Sequence, residues 1–500
     1  MNNEKFHILL FLVALISVSL SPLHAQRFQL YQTGTLSDAF ENPYQSAFVT
    51  DKEKKIFFDK EKKVMTDNQK KFAFNFTTFY FNAGMTGPNM TLFTNFLTHY
   101  EKNLTREDLP LASAPNRFNN DYKFNFGVVR FKWRAKPGKR DPKTELTYGW
   151  QLLIQNQASM SGNFLNMIIV GNGPYAGEKM HNLMNYDSYT TSYFKITYGW
   201  KRDITEKLSL GINYHRYLGI HDIRSEITES YFYTAPNGEY TELHLRGQLS
   251  SFFNFKDSTF QKIFDSFYSA QNVGSGFGES ISAALKRALL QGIFKQGGRG
   301  FSMGASYDIT KKLTLTAAVK DLGYMSWNPN SVRFPFKMDS TFKGFFQVIY
   351  DTALTLKPLL DTSALMGSEV EQKVRYIDSM IFSNVTDTIP GSYYSPLPLT
   401  FELGGGYNWN SWLYSGLLIH KVHRFGNVQF TLLNRIRIWK WFLLNTNVGV
   451  GTENHTELGA QFIFESPGVD FYVGSEQIGN WFLTSIQAGA DFHFGFAMRF

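Results

Sequence analysis

Cysteine is absent from the 500 residues. This excludes a disulfide framework and a lipid-modified N-terminal cysteine. Proline is scarce, at 16 residues, so the chain is not low-complexity. Beyond the first 25 residues no stretch approaches the ~18 apolar residues of a membrane-spanning helix. The formal charge of +8 has no single basic cluster behind it, only one denser charged run from Asp51 to Lys71. Scattered positive charge favours an anionic lipid surface. No cofactor is expected, and nucleic acid is not an expected partner for an exported chain.

What is present begins with an export signal. Lys5 gives the positive n-region, Ile8 to Leu20 is apolar, and Leu23-His24-Ala25 offers a small residue before the cut. Residues 1–25 are therefore read as a signal peptide. The rest is dominated by alternation at period two. Phe492, Phe494, Phe496 and Met498 share one face, and Asp491, His493, Gly495 and Arg499 the other. Phe301, Met303, Ala305 and Tyr307 alternate with Ser302, Gly304, Ser306 and Asp308. Leu458, Ala460, Phe462 and Phe464 alternate with Gly459, Gln461 and Glu465, with Ile463 the exception. A bulky aromatic face opposite a small, polar face suits lipid outside and a wet or loosely filled lumen inside. Lipid offers no partner to backbone N–H and C=O groups, so such a sheet must close.

The expected fold is all-β: a transmembrane antiparallel β-barrel of about 14 strands over residues 72–500, with 16 possible. The two further strands would come from a hairpin, Tyr231–Ala235 and Tyr240–Gln248, around Pro236-Asn237-Gly238-Glu239. Short turns such as 201–206 and 309–311 are assigned to the periplasm. Long connections at 83–121, 157–190, 220–299 and 323–398 are assigned to the outside. Tyr198, Trp200, Tyr307, Trp327, Tyr407, Trp412, Trp439 and Trp441 are candidates for aromatic girdles. Residues 26–71 are expected as a lumenal plug or periplasmic segment. Helical spacing of Ile281, Leu285, Leu289 and Ile293 suggests a loop helix or lid near 255–296.

Gly300-Phe301-Ser302-Met303-Gly304-Ala305-Ser306-Tyr307, Lys312-Leu313-Thr314-Leu315, Asp321-Leu322-Gly323 and Trp327 carry a resemblance. So do Tyr198-Gly199-Trp200, Leu218-Gly219-Ile220, Gly171-Asn172 and Leu397-Pro398. With these, the chain resembles a family of uncharacterised outer-membrane barrels widespread in Bacteroidota. That family is similar to FadL-type channels for hydrophobic compounds and to the PorV barrel of type IX secretion. The resemblance covers most of residues 26–500 and implies fourteen strands, an N-terminal plug and the cell outer membrane of a Gram-negative bacterium. It supplies no catalytic or ligand residues.

Charged residues on the polar face are expected to line the lumen: Lys320, Glu402, Arg435, Arg437, Glu457, Asp491, His493 and Arg499. A lumenal position is cheap, whereas Lys or Arg facing mid-membrane lipid costs about 2–4 kcal/mol. His420, Lys421, His423 and Arg424 are placed in a basic surface turn that touches lipopolysaccharide phosphates. The two histidines there lack a third ligand nearby, so no metal site is assigned. Gly300-Phe301-Ser302-Met303-Gly304 matches a nucleophile-elbow spacing, but Ser302 lies inside an alternating strand rather than at a strand-to-helix turn. No enzyme is expected. Two functions follow. One is a FadL-like channel for hydrophobic or amphipathic small molecules, with residues 26–71 as hatch and 255–296 as a surface capture element, motivated by the aromatics Phe252, Phe253, Phe255, Phe264, Phe267 and Tyr268 of the long loop and by the plug-length N-terminus. The other is a non-transporting barrel that docks an exported protein or secretion partner through the loop 323–398. Outer-membrane lipid, and the barrel-assembly machinery during insertion, are expected partners of either.

Overall fold

A computed structural model of the chain describes residues 41–46, 72–75, 78–86, 115–133, 144–164, 173–252, 296–327, 331–343, 389–422, 428–439, 441–451, 456–466, 468–479 and 488–499. The signal peptide lies outside the described residues. So do most of 26–71, all but the last residue of the expected capture element 255–296 and, except for Phe252, the aromatics of that long loop.

Aromatic and β-branched residues at every second position build the strands, each with one face for lipid. In chain order they are β1 (Phe72–Asn75), β2 (Thr78–Thr86), β3 (Pro115–Trp133), β4 (Thr144–Ser161), β5 (Lys179–His181), β6 (Tyr186–Asp203), β7 (Leu208–Thr234), β8 (Tyr240–Ser251), β9 (Gly297–Asp308) and β10 (Leu313–Trp327). There follow β11 (Val332–Lys343), β12 (Ile389–Pro390), β13 (Tyr393–Pro396), β14 (Thr400–Asn408), β15 (Leu413–Val422), β16 (Val428–Trp439), β17 (Phe442–Gly451), β18 (Thr456–Glu465), β19 (Val469–Ser475) and β20 (Ala488–Arg499).

Fourteen strands close into an antiparallel barrel. β1 and β2 act as one strand, pairing β3 on one side and β20 on the other. The ring then runs β3, β4, β6, β7, β9, β10. β13 and β14 together pair β10, and neighbours in sequence pair from β14 to β20.

The hairpin at 231–248 does not enlarge the ring. β7 has 27 residues, about 90 Å of ribbon, where a membrane crossing needs about 9–11 residues. Its first part, Leu208 to Leu218, pairs β9 in the ring. Its second part, from Ile223, pairs β8, and β8 pairs β11. The stretches 220–299 and 323–398 therefore contain strands that continue the wall beyond the ring. One face of this extension packs Phe232, Leu243, Leu245, Phe336 and Met338 under Tyr175 and Leu183.

The outward face of the ring is apolar. Phe462 is 56% exposed, and Phe301, Met303, Leu315, Leu403, Leu417, Leu432, Val448 and Phe492 are exposed beside it. Trp200, Tyr307, Trp412, Trp439 and Trp441 stand exposed at the short-turn end. Among the described residues no second protein layer covers this belt on the closed ring, so hydrocarbon is its solvent and the barrel is transmembrane. Trp327 departs from the expected girdle. It is fully buried, its indole N–H donating to Ser395 Oγ at 2.9 Å, stacked near Tyr393. Ile463, the exception in the β18 pattern, faces inward and packs with Leu443 and Tyr472. The described interior is not loosely filled: Tyr80, Tyr217, Tyr472, Asn445, Asn447 and Gln461 are all buried.

Introducing Leu432→Arg at mid-belt is expected to cost about 2–4 kcal/mol of folding stability in liposomes. Urea titration of the membrane-inserted barrel measures it. A cost near zero would place that face away from lipid.

Candidate functional site

The inward charges of one wall converge on residues 41–46, the described part of the N-terminal segment. These residues lie inside the ring, with Asn42, Pro43, Tyr44 and Gln45 buried. Two glycines make the space. A Cβ on Gly211 of β7 would stand 1.9 Å from the Pro43 carbonyl oxygen, and one on Gly304 of β9 would stand 2.5 Å from the Tyr44 ring. Only a residue without a side chain lets the segment lie this close to the wall.

Polar contacts then fix it. Glu41 pairs with Lys123 of β3 and accepts from Gln151 Nε2 of β4 at 3.1 Å. Asn42 Oδ1 accepts from Lys320 Nζ of β10 at 2.5 Å. Arg130 of β3, 1% exposed, donates to the Gln45 carbonyl oxygen. Its guanidinium also lies 3.3 Å from Glu145 Oε2 and donates from Nε to Thr147 Oγ1 at 2.6 Å. Ser46 donates to the same Glu145. Lys201 stands 3.7 Å from Glu145 and 2.5 Å from Asp203.

A bulge in β10 brings two consecutive side chains to this interior. The register between β9 and β10 shifts between Val319 and Leu322, and Asp321 adopts a left-handed φ of 53°. The extra residue lets Lys320 and Asp321 both reach inward partners. Lys320 stands 2.6 Å from Glu402 Oε2. Asp321 Oδ1 accepts from Lys195 Nζ and from Tyr217 Oη, each at 2.7 Å. Its backbone N–H donates to Ser302 Oγ at 3.0 Å.

Ser302 Oγ in turn lies 2.8 Å from His215 Nε2, and His215 Nδ1 lies 2.9 Å from Thr197 Oγ1. A serine, a histidine and an aspartate thus meet, but not as a hydrolytic triad. Asp321 approaches the same ring nitrogen as the serine, at 3.9 Å, leaving the other nitrogen to a threonine. A general base needs its carboxylate on the far nitrogen to orient the ring and stabilise the imidazolium. The cluster is built for holding, not for nucleophilic attack.

The other predicted residues are dispersed. Asp491 of β20 accepts from Ser475 Oγ and from the backbone N–H groups of Glu476 and Gln477, at 2.7–2.8 Å. His493 Nε2 lies 3.1 Å from Gln461 Nε2. Arg435 sits over the Tyr414 ring at 5.0 Å, and Arg437 lies 3.0 Å from Glu465. Glu457 and Arg499 are strand positions whose side chains lie outside the described residues. The basic turn needs correction. His420 lies within β15, 5% exposed, opposite Glu402, because β15 continues to Val422. Lys421 is exposed beside it, and His423 and Arg424 lie outside the described residues. Among the described residues no three His, Asp or Glu side chains come together as metal ligands would.

Alternation puts His215 on the lumenal face with Ser209, Gly211 and Asn213, and it could also have named Lys195, between Phe194 and Ile196. It could not name Asp321, because the bulge breaks the period there. Gly211 and Gly304 read only as small lumenal residues.

Fold and site define a closed transmembrane β-barrel with part of its own N-terminal segment lodged in the lumen. By sequence, the chain belongs to a family of unknown function, DUF5723, whose profile matches residues 64–476. No curated protein matches it. Among solved structures it is similar to a FadL homologue of Pseudomonas aeruginosa, with 11% identity over 96% of this chain and 98% of that one and a TM-score of 0.38. It is also similar to the Ralstonia pickettii toluene transporter TbuX, with 7% identity over 93% of each chain and a TM-score of 0.36. The Pseudomonas putida toluene transporter TodX is similar at 8% identity over 97% of this chain and 96% of that one, with a TM-score of 0.35. At these scores the likeness carries no argument about cargo.

Removing one partner of a buried pair leaves the other charge unpaired, at a cost of about 3–5 kcal/mol. Lys320→Met is expected to lose stability on that scale, and Lys320→Met with Glu402→Gln to recover a good part of it. Urea unfolding of the four proteins in micelles gives the coupling. An additive double variant would remove the pair from the architecture.

Proposed function

We propose that the protein is an outer-membrane channel of a Gram-negative bacterium, closed by its own N-terminal segment, that passes hydrophobic or amphipathic small molecules. The observation that carries this reading is the seating of residues 41–46 in the lumen. Glycine clearance and polar contacts hold them against β3, β4, β7, β9 and β10. A separate chain segment seated in the lumen can act as a gate, which the side chains of the wall cannot. Ion pairs and hydrogen bonds are also exchangeable for water once the segment moves, which suits repeated opening. Next to the Asp321 cluster, Tyr189, Tyr193, Met325, Leu397 and Pro398 line a small cleft with Arg224 at its side. Apolar walls with one cationic group suit an amphipathic molecule.

The second reading is a barrel that docks an exported protein or a secretion partner, in the manner of the PorV type. It is favoured by the β7–β8–β11 extension, which continues past the ring where a channel alone would need no wall.

The channel reading predicts the effect of filling the space the segment occupies. Gly211→Leu would place a side chain where the Pro43 carbonyl stands and displace the segment. Liposomes carrying this variant are expected to take up small amphipathic solutes faster than wild type, and deletion of 26–71 is expected to do the same. Unchanged flux in both would end the channel reading in favour of the docking one. In cells, the protein is expected in the outer-membrane fraction and insoluble without detergent. Recovery from the inner membrane or the soluble fraction would overturn the location.

A further inference from the structure

Arginine on the outward face is the feature that neither barrel closure nor the latch uses. Arg216 of β7 and Arg299 of β9 stand directly opposite each other in the ring, and both are exposed. Their strand neighbours fix the side. Asn213, His215 and Tyr217 are buried in the lumen, whereas Ile212, Phe301 and Met303 are exposed to the membrane. The two guanidiniums therefore point outward. Neither has an ion-pair or hydrogen-bond partner among the described residues. The inward arginines differ: Arg130 has Glu145, and Arg437 has Glu465.

Their height is informative. From Leu208 at the short turn to Arg216 is about 26 Å of strand, which at a tilt of about 40° rises about 20 Å. That is close to the outer limit of an apolar band about 25 Å tall. Amphipathic aromatics mark the same level. Tyr324 is paired with Arg299 across β10, and Ile196 beside Arg216 is paired with Trp150 on β4; Tyr324 and Trp150 are both 49% exposed. Tyr394 stands next to Tyr324, ring centroids 5.5 Å apart. Like charges facing each other across a strand pair repel. An anion shared between them turns that repulsion into two charge-assisted contacts, and the guanidinium fork fits a phosphate in bidentate fashion.

We propose that Arg216 and Arg299 clamp the phosphate of an outer-leaflet phosphoglycolipid, the lipid A part of lipopolysaccharide. Tyr324, Tyr394 and Trp150 lie where its sugar and upper acyl chains meet the protein. The clamp sits on the outside of the wall whose inside holds residues 41–46, since β7 and β9 supply both Arg216 and Arg299 and the glycines behind Pro43 and Tyr44. The choice of lipid rests on the outer-membrane location proposed above.

Full-length barrel purified in nonionic micelles and titrated with lipid A, read by native mass spectrometry, tests this. Wild type is expected to bind lipid A and to bind its phosphate-free form at least tenfold more weakly. The double variant Arg216→Gln, Arg299→Gln is expected to bind lipid A at least tenfold more weakly than wild type. The double lysine variant should fall between, because an ammonium keeps charge but loses the fork. Heat-modifiable migration on gels verifies folding; if the glutamine variant does not fold, the phosphate-free lipid on wild type decides alone. Equal binding of the two lipids, or by wild type and a folded glutamine variant, overturns the clamp. Displacement of lipid A by micromolar inorganic phosphate reassigns the site to free phosphate and equally overturns it. Fractionation outside the outer membrane would sink the location instead, a result the micelle titration does not depend on.

Discussion

Hydrocarbon provides no hydrogen-bond partner for a peptide group. Every backbone N–H and C=O at membrane depth must therefore find another strand, and the sheet has no option but to close. The rest of the molecule follows from that requirement. Closure forces each strand to show one face to lipid and the other to an interior, so charge has a single inexpensive destination. Lys123, Arg130, Glu145, Lys195, Lys201, Lys320, Asp321 and Glu402 all go there. Once inside, each needs a partner, because a buried unpaired charge is far more costly than a buried pair.

The pairs are not distributed evenly. They gather on the wall from β3 through β10 to β14, where residues 41–46 are seated, and several complete their coordination through the segment itself. Arg130 shares its guanidinium between Glu145 and the Gln45 carbonyl. Lys320 shares its ammonium between Glu402 and Asn42. The β10 bulge concentrates this further by sending Lys320 toward the segment and Asp321 toward Lys195, Tyr217 and Ser302. Segment and wall thus share partners at Lys123, Arg130 and Lys320. Tyr217 also packs on Tyr193, rings 5.2 Å apart, which joins the Asp321 cluster to the cleft that Tyr193 lines.

Beyond the membrane the constraint relaxes. β7 changes neighbours, from β9 to β8, once its ribbon no longer meets hydrocarbon. The extension there packs its own apolar cluster on one face and leaves charged residues such as Lys337, Asp339 and Arg246 exposed on the other. Outside the ring, the levels of Trp150, Tyr324, Arg216 and Arg299 trace where hydrocarbon gives way to headgroups.

The sequence by itself determined the barrel. Period-two alternation is a local property of the chain, and with apolar bulk on one face and charge on the other it admits few solutions. That is why most strand positions and the closure were legible, whereas the choice of fourteen strands over sixteen needed the structure, which takes the hairpin at 231–248 out of the ring. Only the tertiary structure decided what long-range packing controls. The bulge at Lys320 and Asp321 breaks the period that made the rest readable. His420 proved to be a wall residue because β15 runs on to Val422, and Trp327 proved to be buried because Ser395 and Tyr393 come to it from far along the chain. The seat for residues 41–46 depends on Gly211 and Gly304, whose meaning is a clearance between segments that alternation never compares. Periodicity reports which side a residue faces; it carries no information on what stands opposite.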